Sequence, residues 1–164
     1  VAKALHAQGC AVTAITGFRS KDLVILQDDF SAVSERLITV TDDGTYGEKG
    51  NVCMPLERLL RAEKFDHIFA IGPLVMMKFV VKSAKPFGVP CTVSMNPIMI
   101  DGTGMCGGCR LTVGGQTRFA CVDGPDFDGY AVDFDEAMSR GTMYRAFEQR
   151  AREHACSLLQ KEGK

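Results

Sequence analysis

The sequence has almost no excess of charge: 19 Lys and Arg stand against 20 Asp and Glu over 164 residues, a formal net charge of −1. With no basic block, it lacks the concentrated cationic face of a dedicated nucleic-acid binder. No apolar run approaches the ~18 residues that a membrane span requires. The longest candidates are broken by Lys78, Lys82 and Lys85. Neither nucleic acid nor membrane is therefore expected as a partner. The first residues offer no apolar core and no cleavage site for export, so a soluble, cytoplasmic protein is predicted. Histidine is scarce: His6, His67 and His154 do not cluster. No Ser-His-Asp or paired-carboxylate arrangement can be argued. The length suits one domain that buries roughly two-thirds of the surface its unfolded chain exposes.

Cysteine, by contrast, is plentiful. Seven is a high and odd number for a chain of this size. A disulfide framework is not expected, because 46% apolar content already supplies a core and no export signal is present. Cys10, Cys53, Cys91 and Cys156 are scattered among apolar neighbours and read as small buried hydrophobes. Cys106, Cys109 and Cys121 differ, because they fall in and beside a Gly-rich stretch.

Up to about residue 98 the sequence alternates short β-rich runs with helical patterns. Residues 1–8 read as the end of a helix, closed by Gly9. Residues 10–16 form a β-rich run without alternation, as in a strand covered on both faces. Ser20 or Asp22 can cap a helix in which Leu23, Leu26, Phe30 and Val33 recur at helical spacing. A strand over 36–41 and the polar loop 42–47 come next. A helix over 51–62 places Leu56, Leu59 and Leu60 inward, and a strand covers 66–71. After the turn Gly72-Pro73, a helix runs from Leu74 to about Lys85, and a strand covers 91–95. Repeated strand–helix–strand units predict a doubly wound α/β half, a parallel sheet with helices on both faces. Beyond Asn96-Pro97 the pattern changes. Two short runs, 110–113 and 116–121, flank Gly114-Gly115, a strong hairpin signal because the tight turn needs positive φ at both central residues. From about Asp133 a helix is expected, with Met143, Phe147 and Ala151 on one stripe and a fraying polar end at 160–164.

The chemistry lies in the Gly-rich stretch and the returning arm of the hairpin. Asp101, Cys106, Cys109 and Cys121 are spaced D-x4-C-x2-C-x11-C. A plant-type [2Fe–2S] site has C-x4-C-x2-C followed by a distant Cys, and here Asp takes the first position. The glycines let backbone amides turn toward the sulfurs and offset concentrated negative charge. A carboxylate donates less electron density than a thiolate, so Asp101 should shift the potential and make the cluster more labile. The alternative on these residues is a zinc knot of three thiolates and one further ligand, although zinc usually takes two paired arms and the second arm offers only Cys121. Residues 102–107 match G-x-G-x-x-G, but they lead into a hairpin and not a helix, so the match carries no dinucleotide fingerprint.

A weaker candidate site lies at the carboxyl ends of the first strands, where doubly wound folds bind ligands. It comprises Gly17 and Arg19, then Asp43, Gly44 and Thr45, then Gly72 and Pro73 with Met76 on the following helix. Arg19 suits a phosphate or an adenosine ribose, and Gly72 allows close backbone approach at a positive helix end. Equally, both glycines can simply serve turns, and Met76 and Met77 can be core.

Residues 17–19, 42–47, 71–73, 101–109 and 119–125 together resemble a known family. It is that of the small subunit of NADH-dependent reduced ferredoxin:NADP oxidoreductase, also described as the sulfide dehydrogenase FAD/NAD-binding subunit. The electron-transfer subunit of type B dihydroorotate dehydrogenase is close to it. The dihydroorotate branch is expected to carry Cys where Asp101 stands, which favours the ferredoxin:NADP branch. The resemblance implies a ferredoxin-reductase-type nucleotide-binding α/β domain over 1–98, a [2Fe–2S] cluster segment over 99–130 and a helical tail over 131–164. It further implies hydride transfer from NAD(H) or NADP(H) to FAD, and single-electron transfer to a cluster on Asp101, Cys106, Cys109 and Cys121. A larger flavin and iron–sulfur subunit would be the heterodimeric partner, with ferredoxin engaged indirectly; alternatively the same architecture serves dihydroorotate oxidation, or a zinc-stabilised module does no redox chemistry. In the family a flavin-binding barrel, the first nucleotide-domain strand and its Gly-rich loop precede the residues matched here, and that strand is central in the order 3-2-1-4-5. This stretch alone is therefore expected to be inactive and to bind FAD and NAD(H) poorly; calorimetric titration showing tight binding of either would contradict that expectation.

Overall fold

The computed structural model describes residues 1–142 and 144–159, with side chains described up to 153. The expected helical position of Met143 and the polar end at 160–164 lie outside the described residues. The chain divides into two compact units, Val1–Asp66 with Phe79–Val89, and His67–Lys78 with Pro90–Lys164. No helix among the described residues is long and apolar enough to cross a membrane.

In the first unit, helix α1 (Ala2–Ala7) precedes strand β1 (Thr13–Phe18), helix α2 (Gln27–Val33), strand β2 (Arg36–Thr41), strand β3 (Glu48–Lys49) and helix α3 (Cys53–Ala62). The strands form a parallel sheet in the order β1-β2-β3, with Thr13 opposite Arg36 and Val40 opposite Glu48. Burial of Ala14, Val40, Thr39 and Thr41 marks its core. Helix α3 buries Pro55, Leu56, Leu59 and Leu60, the stripe that helical spacing anticipates. Thr16 and Thr39 are nine-tenths buried or more, and their hydroxyls meet at 3.1 Å. Gln27 closes the group by donating to Thr39 Oγ1 at 2.9 Å, so these polar groups are paired.

The second unit contains strand β4 (Ile68–Ile71), the first turns of helix α4 (Leu74–Ala84), strand β5 (Cys91–Ser94), strand β6 (Arg110–Val113) and strand β7 (Gln116–Phe119). Helix α5 (Ala120–Asp123), strand β8 (Asp126–Asp128), helix α6 (Phe134–Arg140) and helix α7 (Arg145–Leu159) follow. Its main sheet has the order β4-β5-β8, parallel between β4 and β5 and antiparallel between β5 and β8. Ala70, Cys91, Val93, Met95 and Phe127 are buried. The hairpin β6–β7 carries the segment after β8 along its other edge, through Gly114 N–H to Ala131 O at 2.7 Å and Asp133 N–H to Thr112 O at 2.9 Å. Asp133 then caps α6 by accepting from the Glu136 N–H at 2.9 Å.

Several expectations change. Two three-stranded sheets form, one in each unit, and the second gains an antiparallel strand that the sequence did not announce, β8, because the chain leaving the hairpin returns beside β5 without a crossover. The helix expected from Ser20 or Asp22 is interrupted. A 3-10 turn covers Lys21–Leu23, Val24 is extended, and Leu26 takes a left-handed φ of 58° before α2 begins at Gln27. Leu23 and Leu26 are consequently 52% and 56% exposed. The branched run Val24-Ile25 disfavours continuous helix there. The expected tail helix is likewise divided at Gly141-Thr142 into α6 and α7. Cys91 is buried as expected, Cys53 is half-buried and Cys10 is exposed, because it precedes β1 instead of lying in it; the Cys156 side chain is outside the described set.

Burial, reinforced by the charge of Asp128, pushes the Cys91 thiol up from 9.0 to about 11. The folded state thus keeps a proton that the unfolded chain loses. Its stabilising contribution is complete below about pH 9 and declines as pH rises toward 11. Urea unfolding of the wild type should therefore lose more stability over that window than Cys91→Ala; parallel pH profiles would contradict the assignment.

Candidate functional site

The loop 101–109 is shaped by Gly102, Gly104 and Gly107, with φ of 76°, 80° and 67°. Side chains bearing a Cβ rarely adopt this left-handed region. Asp101 Oδ1 accepts from the Thr103 N–H at 2.9 Å, a local turn that fixes the carboxylate at the start of the loop. That N–H holds the Asp101 pKa below its ordinary value against the opposing effect of burial, with further help from Cys106. The Gly108 N–H donates to Cys106 Sγ at 3.4 Å.

Cys109 follows directly and is 2% exposed. Ala120 donates its N–H to Cys109 O at 3.2 Å, just beyond the Arg110–Phe119 pair that ends the hairpin ladder. Cys121 sits in α5, whose start is capped by Asp123 Oδ2 accepting from the Phe119 N–H at 2.7 Å. The two sulfurs lie 3.3 Å apart. Hydrogen bonding to Cys109 raises the Cys121 pKa, as does burial, while the Gly104 backbone N–H beside its sulfur works in the other direction.

The chemistry of these donors fits an iron–sulfur group. Two thiolates about 2.3 Å from one tetrahedral ion stand about 3.8 Å apart, which a small side-chain rotation reaches from the observed separation. The Gly108 backbone N–H already donates to Cys106 Sγ. The four candidates stand as two neighbouring pairs, Asp101 with Cys106 and Cys109 with Cys121. Among the described residues, no three His, Cys, Asp or Glu side chains lie close enough together to hold a metal ion, so the two pairs are not joined into one ligand set.

In the first unit, Gly17, Arg19, Asp43, Gly44 and Thr45 do come together. Asp42 N–H donates to Phe18 O at 3.1 Å and Asp43 N–H to Arg19 O at 3.3 Å, joining the ends of β1 and β2. Thr45 donates its hydroxyl to Asp43 Oδ1 at 2.7 Å and its N–H to the same oxygen at 2.9 Å. These bonds lower the Asp43 pKa, hydroxyl first. Lys21 was not singled out by sequence, yet its N–H donates to Thr45 Oγ1 at 2.8 Å and ties the two loops; a backbone contact leaves no residue-type signal. Gly17 lies within β1, where a Cβ would stand 2.6 Å from Val52 Cγ1, so it serves close packing of the start of α3. Gly72, Pro73 and Met76 belong to the second unit. A Cβ on Gly72 would meet the Met76 methyl, and Met76 is half-buried while Met77 is fully buried.

Residues 96–133 match the iron–sulfur cluster binding domain of dihydroorotate dehydrogenase B. A dihydroorotate dehydrogenase B (NAD(+)) electron transfer subunit homolog of Thermotoga maritima is 52% identical over 149 residues, 91% of this chain and 52% of that protein. A probable electron transfer subunit of the same enzyme from Methanocaldococcus jannaschii is 41% identical over 127 residues, 77% of this chain and 48% of that protein. A solved structure of NADH-dependent reduced ferredoxin–NADP oxidoreductase, described for flavin-based electron bifurcation, superposes with a TM-score of 0.85 at 48% identity, covering 94% of this chain and 56% of that one. The chain spans about half the length of the curated relatives it matches. It is an α/β chain related to the electron-transfer subunits of dihydroorotate dehydrogenase B and to NADH-dependent ferredoxin–NADP oxidoreductase, and it carries an iron–sulfur cluster binding domain at residues 96–133.

Proposed function

We propose that the chain is part of the electron-transfer subunit of a cytoplasmic NAD(P)H-dependent ferredoxin:NADP oxidoreductase, in which Asp101, Cys106, Cys109 and Cys121 hold a [2Fe–2S] cluster. The observation that carries this reading is the Cys109–Cys121 sulfur pair at 3.3 Å, set beside a loop in which the Gly108 N–H donates to the third sulfur, that of Cys106. When bound, the cluster stores one electron at a time. Cys109 supplies a water-excluded anchor, and Cys106 and Cys121 supply thiolates nearer the surface. Asp101, preorganised by Thr103, offers a harder oxygen donor.

In this reading residues 1–98 contribute to the NAD(P)H and FAD sites, 99–130 form the cluster segment and 131–164 the helical tail. The pairs β1–β2 and β4–β5 support a ferredoxin-reductase-type strand order. Arg19 would meet a phosphate, and Asp43, held ionised by Thr45, would accept from ribose hydroxyls. In the second unit, Gly72 and Pro73 would allow close backbone approach of a ligand at the start of α4, where Met76 is the neighbouring side chain. A larger flavin and iron–sulfur subunit would take the electrons, and ferredoxin would be reached through it.

A second reading, electron transfer for dihydroorotate oxidation, is favoured by the names of the relatives and of the matched domain. The catalytic subunit that co-purifies separates the two. The dithionite-reduced full-length protein should show a spin-half EPR signal from the cluster that Cys109→Ser abolishes. Asp101→Cys should keep the signal and lower its midpoint potential, because thiolate donates more strongly than carboxylate. An EPR spectrum unchanged by Cys109→Ser would contradict the ligand assignment.

A further inference from the structure

Cysteine pairs in a C-x2-C spacing are the usual candidates for a local disulfide, which here would join Cys106 and Cys109. The geometry favours a different pair. Cys109 Sγ lies 3.3 Å from Cys121 Sγ, on backbones held together by the hairpin and by the Ala120 N–H to Cys109 O bond. A disulfide bond of about 2.04 Å needs only a further approach of about 1.3 Å, within reach of side-chain rotation. Cys106 is exposed at the turn of the loop, where its sulfur accepts from the Gly108 N–H and lies beside Asp101.

We infer that Cys109 and Cys121, and not Cys106 and Cys109, are the site of a reversible disulfide that forms when the cluster has been lost and a peroxide is present. The consequence for the cluster rests on the reading proposed above; the linkage rests on the sulfur geometry alone. Within this pair the half-buried Cys121 is more accessible than the buried Cys109 and is the one that peroxide meets first. Hydrogen peroxide transfers an oxygen atom to it, giving a sulfenic acid and one water. The Cys109 sulfur then attacks the Cys121 sulfur, the S–S bond forms, the S–O bond breaks, and hydroxide leaves with the thiol proton as a second water. Two thiols are oxidised by two electrons and one peroxide is reduced to two waters. Joining this pair removes two thiolates from the proposed shell, so a cluster cannot be rebuilt until a dithiol reductant reopens the bond. It also withdraws Cys121 from irreversible oxidation to sulfinate.

The test uses the full-length protein, stripped of metal by chelation under reducing conditions, freed of reductant and treated with one equivalent of hydrogen peroxide. Tryptic cleavage separates residues 83–110 from 119–140, so a linkage between Cys109 and Cys121 joins two peptides, while one between Cys106 and Cys109 stays within the first. Non-reducing mass spectrometry with fragmentation should place the principal linkage at Cys109 and Cys121. Iron and sulfide uptake should be lost after peroxide and restored by dithiothreitol. A principal linkage at Cys106, or sulfinate on Cys121 without any linkage, would overturn the inference. A preparation that never takes up iron but forms the Cys109–Cys121 bond would remove the cluster reading and leave the linkage standing; one that loads a cluster but links Cys106 would do the reverse.

Discussion

The tight turn at Gly114-Gly115 is the constraint on which the candidate cluster site depends. Both residues take left-handed φ, 59° and 75°, and a Cβ at either would have open space around it. Their requirement is therefore conformational and owes nothing to packing. That turn sets the register in which Arg110 faces Phe119, and the register carries Cys109 and Cys121 out of the open end of the hairpin side by side. A slip of one residue would send alternate side chains to the other face and part the two sulfurs. The same ladder offers the edge along which residues 131–133 return, and so fixes the Asp133 cap of α6.

Much of this was legible because it rests on residue types with narrow conformational choices. Paired glycines announce the hairpin, and the spacing of Leu56, Leu59 and Leu60 announces the buried face of α3. The strands 36–41 and 91–94 fall where branched and apolar residues concentrate. What escaped the sequence depends on partners distant in the chain. Strand β8 is three residues long with a single apolar side chain, Phe127, and exists because β5 provides an edge for it. Strand β3 has two residues, both charged. Leu23 and Leu26 fit a helical stripe on spacing, yet local geometry at Val24 and Leu26 divides that stretch and leaves both side chains in solvent.

The nucleotide candidates illustrate a second limit. Motif reading assigns Gly17 to a ligand or a turn, whereas its visible role is to let Val52 approach β1. Asp43 and Thr45 were legible as polar residues after a strand, but their mutual hydrogen bonds and the tie to the Lys21 backbone come only from the folded loops. These bonds leave Asp43 ionised, exposed and oriented, an arrangement suited to accepting from a neutral hydroxyl.

Three thiols and one carboxylate can serve an iron–sulfur cluster or a zinc knot, and electron transfer requires the cluster. Both would draw Cys109 and Cys121 together, so the identity of the metal decides. The most direct measurement is the content of iron, acid-labile sulfide and zinc in the full-length protein purified without oxygen. An iron–sulfur site gives about two irons and two sulfides per chain with little zinc. One zinc per chain, without iron or sulfide, would reduce the site to a structural knot and contradict the electron-transfer reading.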